Sequence, residues 1–536
     1  MQLRNALRSF LTQYLLFRLY SAQQFRNITG SVRRQPVKNS KDELFQYTSG
    51  RWIYHEHLRL TERYLEFDIP ALHKAIAAAS GHSTSDIISF FKLEEGGFNR
   101  LFQVTFNDGN HVIARIPYPS TGPEHYGVAS EVATLDYLRL HGITTPKVYA
   151  WCSTRENPVG SEYIIMEKLD GSPLGDVWFT MTPKEQHGIM NQIVEWETRL
   201  MSLNFPASGS IYYRNDILSE EGIPLPDCSD HEFCIGPIAH YSWWHEERVV
   251  LKTDRGSWLS SNDVFRAVGE QELKWVKTYA KPRLPYERLY REIHNICQLA
   301  RCLGFKTGSS LNRPVIRHPD FQPNNILVSK TNEIIGLIDW QHSAILPLGL
   351  AAGMPKHFQN YGDPESEKLL EPQINLPSNY DSLDLPEQDS VRETIRKRLV
   401  HFLYAAFTKR LNEEHYDAIF NQSVILHQRL FESAVTEDSL EQDKGLYTAP
   451  PFEYPDTVIH DTIRIDAQQR EADTAMEQMR NVLGVDVLGW VPNGGYKAAR
   501  EMARDMKAEM LEAAETRGDV SGVQNHFPFD DFNENS

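Results

Sequence analysis

The stretch RHPDFQPNNILVS, residues 317–329, places a histidine, an aspartate and an asparagine in a turn ahead of an apolar run. Asp320 and Asn325 stand five residues apart, and Pro319 and Pro323 stiffen the backbone around them. Proline fixes φ and removes a donor, so the segment is an ordered loop and not a helix. Ile326-Leu327-Val328 then forms a short buried strand, KTNE (330–333) a four-residue turn, and IIGLIDW (334–340) a second strand of an antiparallel hairpin. Centring the turn between Thr331 and Asn332 sets Asn325 opposite Ile338 and next to Asp339. An amide oxygen and a carboxylate thereby arrive at one end of the hairpin, with Asp320 on the loop just before it. Two hard oxygen donors suit Mg²⁺, which keeps waters and substrate phosphates in preference to a full protein cage. Asp320 is left to orient a hydroxyl and accept its proton, a division of labour that phosphoryl transfer needs. Taken alone, the same residues also fit a polar turn entering a strand.

The whole constellation, His318-x-Asp320-x₄-Asn325 followed by Asp339, resembles the catalytic and metal-binding loops of the protein-kinase-like superfamily. It is most similar to the aminoglycoside phosphotransferase family, whose metal aspartate stands in an Asp-Trp context, as Asp339-Trp340 does here. The resemblance spans roughly residues 85–415. It implies an α+β, bilobal protein-kinase-like fold with a small β-rich N-lobe and a larger helical C-lobe. It also implies ATP as donor and Mg²⁺ as cofactor, with Asp320 as base, Asn325 and Asp339 as metal ligands and His318 bracing the loop. Over its whole length the chain resembles a fungal mitochondrial group, the altered inheritance of mitochondria proteins, which carry this domain.

Parts that hold a nucleotide are then expected upstream. FKLEEGGFNRLFQVTF (91–106) has the pattern strand, turn, strand, with Gly96-Gly97 at the bend. Glycine lets backbone N–H groups approach a phosphate closely, although a double glycine also makes an ordinary hairpin turn and lacks the full G-x-G-x-x-G pattern. In HVIARIPYP (111–119), His111, Ile113 and Arg115 share one face of a strand. Arg115 occupies the place of the family's phosphate-binding strand cation, often lysine; arginine keeps the charge and grips phosphate through a fork. In the helix SEVATLDYLRLHG (130–142), Glu131 falls on one face with Val128, Leu135 and Leu138. A carboxylate on an apolar face needs a partner, and Arg115 is the expected one. The alternative is that Glu131 edges a solvated face. Tyr163-Ile164-Ile165-Met166 is a buried strand, and Glu167-Lys168-Leu169 after it resembles the hinge whose backbone binds adenine, with Met166, Glu167 and Lys168 in the expected nucleotide-binding set. Ile113 completes the expected nucleotide-binding set.

TPKEQHGIMNQIVEWETRLMSL opens on the helix-start signal Thr182-Pro183. Residues 205–285, rich in tryptophan and histidine, either line an acceptor pocket or fill core. Further helices are expected over 286–304, 391–411 and 499–518, the last polar on most sides. No A-P-E motif follows LPLGLAAGMP (346–355), so a small-molecule acceptor is favoured over a protein. The expected organisation is a transit peptide (1–40), an N-lobe (41–168), a C-lobe (169–480) and a helical extension with an acidic tail (481–536).

Composition bounds the function. A net charge of −17 argues against nucleic acid or an anionic membrane as the main partner. No run reaches the roughly 18 apolar residues of a transmembrane segment. Five cysteines, without a C-x-x-C pair, fit reduced thiols. The first 41 residues carry eight Arg or Lys and no acid; removing those eight charges from −17 leaves −25. Leu3, Leu7, Phe10, Leu11 and Tyr14 fall at helical spacing, the pattern of a mitochondrial transit peptide, with a disordered basic tail as the alternative. The reading is therefore a mitochondrial Mg·ATP-dependent phosphotransferase. The alternative is a kinase-like pseudoenzyme or nucleotide-binding assembly factor, and transfer of AMP uses similar side chains.

Overall fold

The computed structural model describes residues 41–531 except 94, 121, 218–221, 227–231, 280–303, 307, 422–423, 426, 429–473 and 515. The expected transit peptide, residues 286–303 of the expected helix, and Cys228, Cys297 and Cys302 lie outside the described residues. The chain divides into two compact units, one drawn from 1–66, 91–101 and 439–536 and the other from 67–90 and 102–438. This division groups residues differently from the lobes expected on the sequence.

The larger unit begins with a helix, Ile69–Ser80, capped by Asp68, whose side chain accepts from the Ala71 N–H. Its sheet has the neighbouring strands His111–Pro117, Tyr163–Glu167 and Val148–Cys152, preceded in order by residues 87–90 of Ile87–Lys92 and 102–106 of Asn99–Phe106. Strand His111–Pro117 runs antiparallel to Tyr163–Glu167, with Ile113 opposite Met166 and Arg115 opposite Ile164. Helix Tyr126–Leu140 lies between the third strand and the last two in sequence, and nearly every side of it is buried. That differs from the amphipathic helix expected: small Ser130 and Thr134 on the supposedly polar side let it be enclosed.

Beyond the sheet the chain turns helical. Pro183–Met201 starts at a reciprocal capping box between Thr182 and Glu185. It packs on Leu385–Leu411, which starts six residues before the expected 391, at a second box formed by Asp384 and Glu387. Ile189, Ile193, Leu403, Tyr404 and Phe407 from these helices share one core with Ile326 and Leu337 of the hairpin and with Trp340 just after it. In the 205–285 region Trp243 and Trp258 are core residues, stacked at a tilt 5.0 Å apart. No described helix is long and apolar enough to cross a membrane.

The smaller unit joins segments from far apart in the chain. Strand Gly50–Trp52 pairs antiparallel with Trp490–Pro492. A Cβ on Gly50 would stand 2.3 Å from the Trp490 indole, so the pairing requires glycine. Helix Tyr496–Glu512, expected to be polar on most sides, buries Ala499, Ala503, Met506 and Met510 as a narrow stripe against Ile53, Met479, Leu483 and Phe527.

Candidate active site

Two loops of the larger unit meet at the hairpin of Ile326–Val328 and Ile334–Leu337. Ile326–Val328 and Ile334–Leu337 pair with Ile326 opposite Leu337, and the Ile338 N–H donates to the Asn325 carbonyl at 3.0 Å. Asn325 therefore lies opposite Ile338 and next to Asp339, the register expected. An irregularity between Leu327 and Val328 falls towards the turn, away from the functional end.

The Asn325 side-chain N–H₂ donates to the Asp320 carbonyl at 2.8 Å and to Asp320 Oδ2 at 3.1 Å. With its nitrogen committed, the amide presents Oδ1, the atom a metal takes. Asp339 holds φ at 64° and keeps its carboxylate about half exposed. A left-handed aspartate costs roughly 1 kcal/mol or more, a cost met mostly at functional sites. Among the described residues no group of three or more His, Cys, Asp or Glu side chains forms a metal cage. The two oxygens fit Mg²⁺, which binds through one or two protein groups plus phosphates.

His318 is buried, and its bonds fix its tautomer. Nε2 lies 2.8 Å from the Ile338 carbonyl, an acceptor, while Nδ1 receives the Asp320 N–H at 3.2 Å. The ring is thus a neutral Nε2–H imidazole, and burial pushes its pKa below the usual histidine value. It ties the Asp320 loop directly to the strand leading into Asp339. Trp340 packs edge-on to it at 4.6 Å, buried, with its indole N–H on the Leu337 carbonyl.

Arg115 and Glu131 meet as a buried ion pair, with side chains 5% and 4% exposed. The second nitrogen of Arg115 lies 3.7 Å from Asp339 Oδ1 and also donates to Gln341 Oε1. Burial lowers the guanidinium pKa to about 10 and Asp339 pulls it upward, so the group stays cationic near neutrality. Gln341 was not expected from the sequence. Its partner lies 226 residues away, and a glutamine after Asp-Trp carries no periodicity signal.

Of the expected hinge residues, Met166 pairs with Ile113 and Glu167 with Val112. The Glu167 N–H donates to the Lys147 carbonyl at 2.8 Å. Lys168 follows immediately, exposed, past the end of the strand. Gly96 and Gly97 belong to the smaller unit, in a turn closed by the Leu93 N–H on the Leu101 carbonyl. A Cβ on either glycine would meet nothing within 4 Å, and neither has a left-handed φ. Neither crowding nor a left-handed turn thus requires glycine here. The base of that turn is a buried triad, Glu95 with Arg100 at 2.7 Å and with Lys92 at 3.0 Å.

Residues 92–349 match the phosphotransferase enzyme family, and the chain belongs to that family. A subtelomeric hrmA-associated cluster protein of Aspergillus fumigatus is 30% identical over 83% of this chain and 97% of its own length. Altered inheritance of mitochondria protein 9 of Lachancea thermotolerans is 24% identical over 74% of this chain and 68% of its own. Its name and those of similar proteins mark them as mitochondrial, in agreement with the localisation expected here. A putative aminoglycoside phosphotransferase of Ralstonia eutropha is similar at 14% identity over 69% of this chain and 98% of its own, with a TM-score of 0.32 that carries no argument. Family membership brings the α+β protein-kinase-like class, and the order of strands and helices above is in keeping with it.

Proposed function

We propose that the protein is a Mg·ATP-dependent phosphotransferase acting on a hydroxyl of a small molecule in mitochondria. The observation that carries this reading is the hairpin register that sets Asn325 beside Asp339, with the Asp320 loop bound to the same hairpin through His318. Asn325 Oδ1 and the Asp339 carboxylate would hold Mg²⁺, which would supply Lewis-acid neutralisation of the phosphates of ATP. Arg115 contributes a fixed cation for those phosphates, and Glu131 holds it in place. The Gln322 and Asn325 amides both bond Asp320 Oδ2, which leaves Oδ1 to orient the acceptor hydroxyl and take its proton. Ile113, Met166 and Lys168, all of the larger unit, would border the base.

A second reading, a nucleotide-binding pseudoenzyme, is favoured by the burial of Arg115 between three side chains. One screen separates the two. The purified mature protein is incubated with Mg·ATP and a panel of hydroxylated metabolites, and release of ADP or pyrophosphate is followed. Acceptor-dependent ADP release, lost in Asp320→Asn, supports phosphoryl transfer; pyrophosphate release identifies AMP transfer instead. Nucleotide binding without release of either product across the panel supports the pseudoenzyme. For localisation, residues 1–40 fused to a reporter should direct it to mitochondria, and a cytosolic reporter would count against that address.

A further inference from the structure

We infer that Gln341 and His342 are positioning residues for Arg115, forming a second anchor that suits an arginine at the phosphate-cation position. The inference deepens the function proposed above and rests on that reading for its catalytic meaning.

Arginine presents a planar fork, where lysine presents one nitrogen. In this site each limb has its own holder. Nη1 goes to Glu131 on helix Tyr126–Leu140, and Nη2 goes to Gln341 on the chain just after Asp339-Trp340. The Gln341 amide cannot be reversed without losing both its bonds. Arginine is donor-only, so Oε1 must face it. Nε2 then faces His342 Nε2 at 2.6 Å, which must accept and so carries no proton. The proton of His342 sits on Nδ1, which faces the Ala239 carbonyl at 3.4 Å. The polar order from guanidinium to backbone is therefore fixed at every step.

The far end of this relay is itself held. The Ala239 N–H donates to Ser210 Oγ at 3.0 Å, and that hydroxyl donates to the Ser343 carbonyl at 2.8 Å, one residue past His342. The His342 ring lies 5.4 Å from Tyr241 and 5.9 Å from His240, and it is buried with φ at 64°. A segment of the 205–285 region thus supports the cation from behind. Glu131 fixes where one limb lies, and Gln341 fixes the rotation of the fork about it, which sets the nitrogen nearest Asp339.

The test is a cycle of Arg115→Lys, Gln341→Ala and the double variant, read two ways. Without nucleotide, thermal unfolding is measured. We expect the Tm loss of the double variant to equal that of Arg115→Lys, because lysine has no second limb for Gln341 to hold. Additive losses would overturn the inference. With a fluorescent ATP analogue and Mg²⁺, Gln341→Ala should weaken binding about tenfold in the wild-type background and leave it unchanged in the Arg115→Lys background. An equal loss in both backgrounds would also overturn it. His342→Phe, which keeps the ring but removes the acceptor, should reproduce the Gln341→Ala loss in part; wild-type affinity there would remove His342 from the relay. Should the wild-type protein bind no nucleotide, the proposed function fails, while the unfolding cycle still decides whether Gln341 holds the fork.

Discussion

Replacing Glu131 by alanine removes the main counter-charge of a guanidinium that has almost no contact with water. Both side chains of the pair are at most 5% exposed, so solvent cannot take the place of the carboxylate. Removing one member of a buried pair costs about 3–5 kcal/mol, most of it from the charge left behind. Here the remaining cation keeps Asp339 at 3.7 Å and the Gln341 oxygen, so the low end applies, about 3 kcal/mol. Glu131→Gln keeps an acceptor without a charge and should lose roughly half as much. Equilibrium urea unfolding measures both. Affinity for Mg·ATP should fall with stability, and a cycle with Arg115→Ala should show the two residues acting as one unit. A Glu131→Ala loss below about 1 kcal/mol, or a coupling below about 0.5 kcal/mol, would refute the reasoning. Glu131 would then be a carboxylate that the cation does not need.

Asp339→Ala should abolish the thermal stabilisation given by Mg·ATP, and Asp320→Asn should keep it; stabilisation surviving in the Asp339 variant would contradict the ligand assignment. Glu162, buried behind the start of helix Tyr126–Leu140 and accepting the His125 N–H, has its pKa raised by burial to about 7. The folded state then holds the proton more tightly than the unfolded one, so stability falls as pH rises from about 4.5 through 7. Glu162→Gln should remove that loss, up to about 3 kcal/mol at pH 8 with little change at pH 4, as read by urea unfolding at both pH values. Met506→Ala should cost the smaller unit about 2–4 kcal/mol by opening a cavity in its core, and selectively increase proteolysis at sites within 41–66 and 474–531.

The hairpin that carries Asn325 and Asp339 at one end was legible because its information is local. A short turn and the two-residue period of a strand set which residues face each other, and the irregularity at Leu327–Val328 lies beyond the part that matters. Arg115 and Glu131 could be matched because each stood on an element with a readable face, and a lone charge on such a face demands a partner. Gln341 had no such demand attached to it. An amide is at home on any surface, and only the folded position of Arg115 gives it a task. The smaller unit escaped for a related reason. Nothing near Trp52 announces that its strand partner is Trp490, and the Ala499, Ala503, Met506, Met510 stripe is too narrow to outweigh the charges around it.

The pairing of Gly50–Trp52 with Trp490–Pro492 also imposes a schedule on the chain. At roughly 5–20 residues per second, a ribosome needs on the order of half a minute or more to proceed from the first of these strands to the second. The same order applies to any threading of the chain from one end. During that interval the Gly50–Trp52 strand lacks its partner strand, and Ile53 lacks the Met479, Leu483 and Phe527 side chains of its core. The early segment must wait for sequence delivered much later, because its strand partner lies near the far end of the chain. An unpaired strand is a template for pairing with another chain; chains truncated before residue 490 should therefore aggregate through the stretch around residue 52.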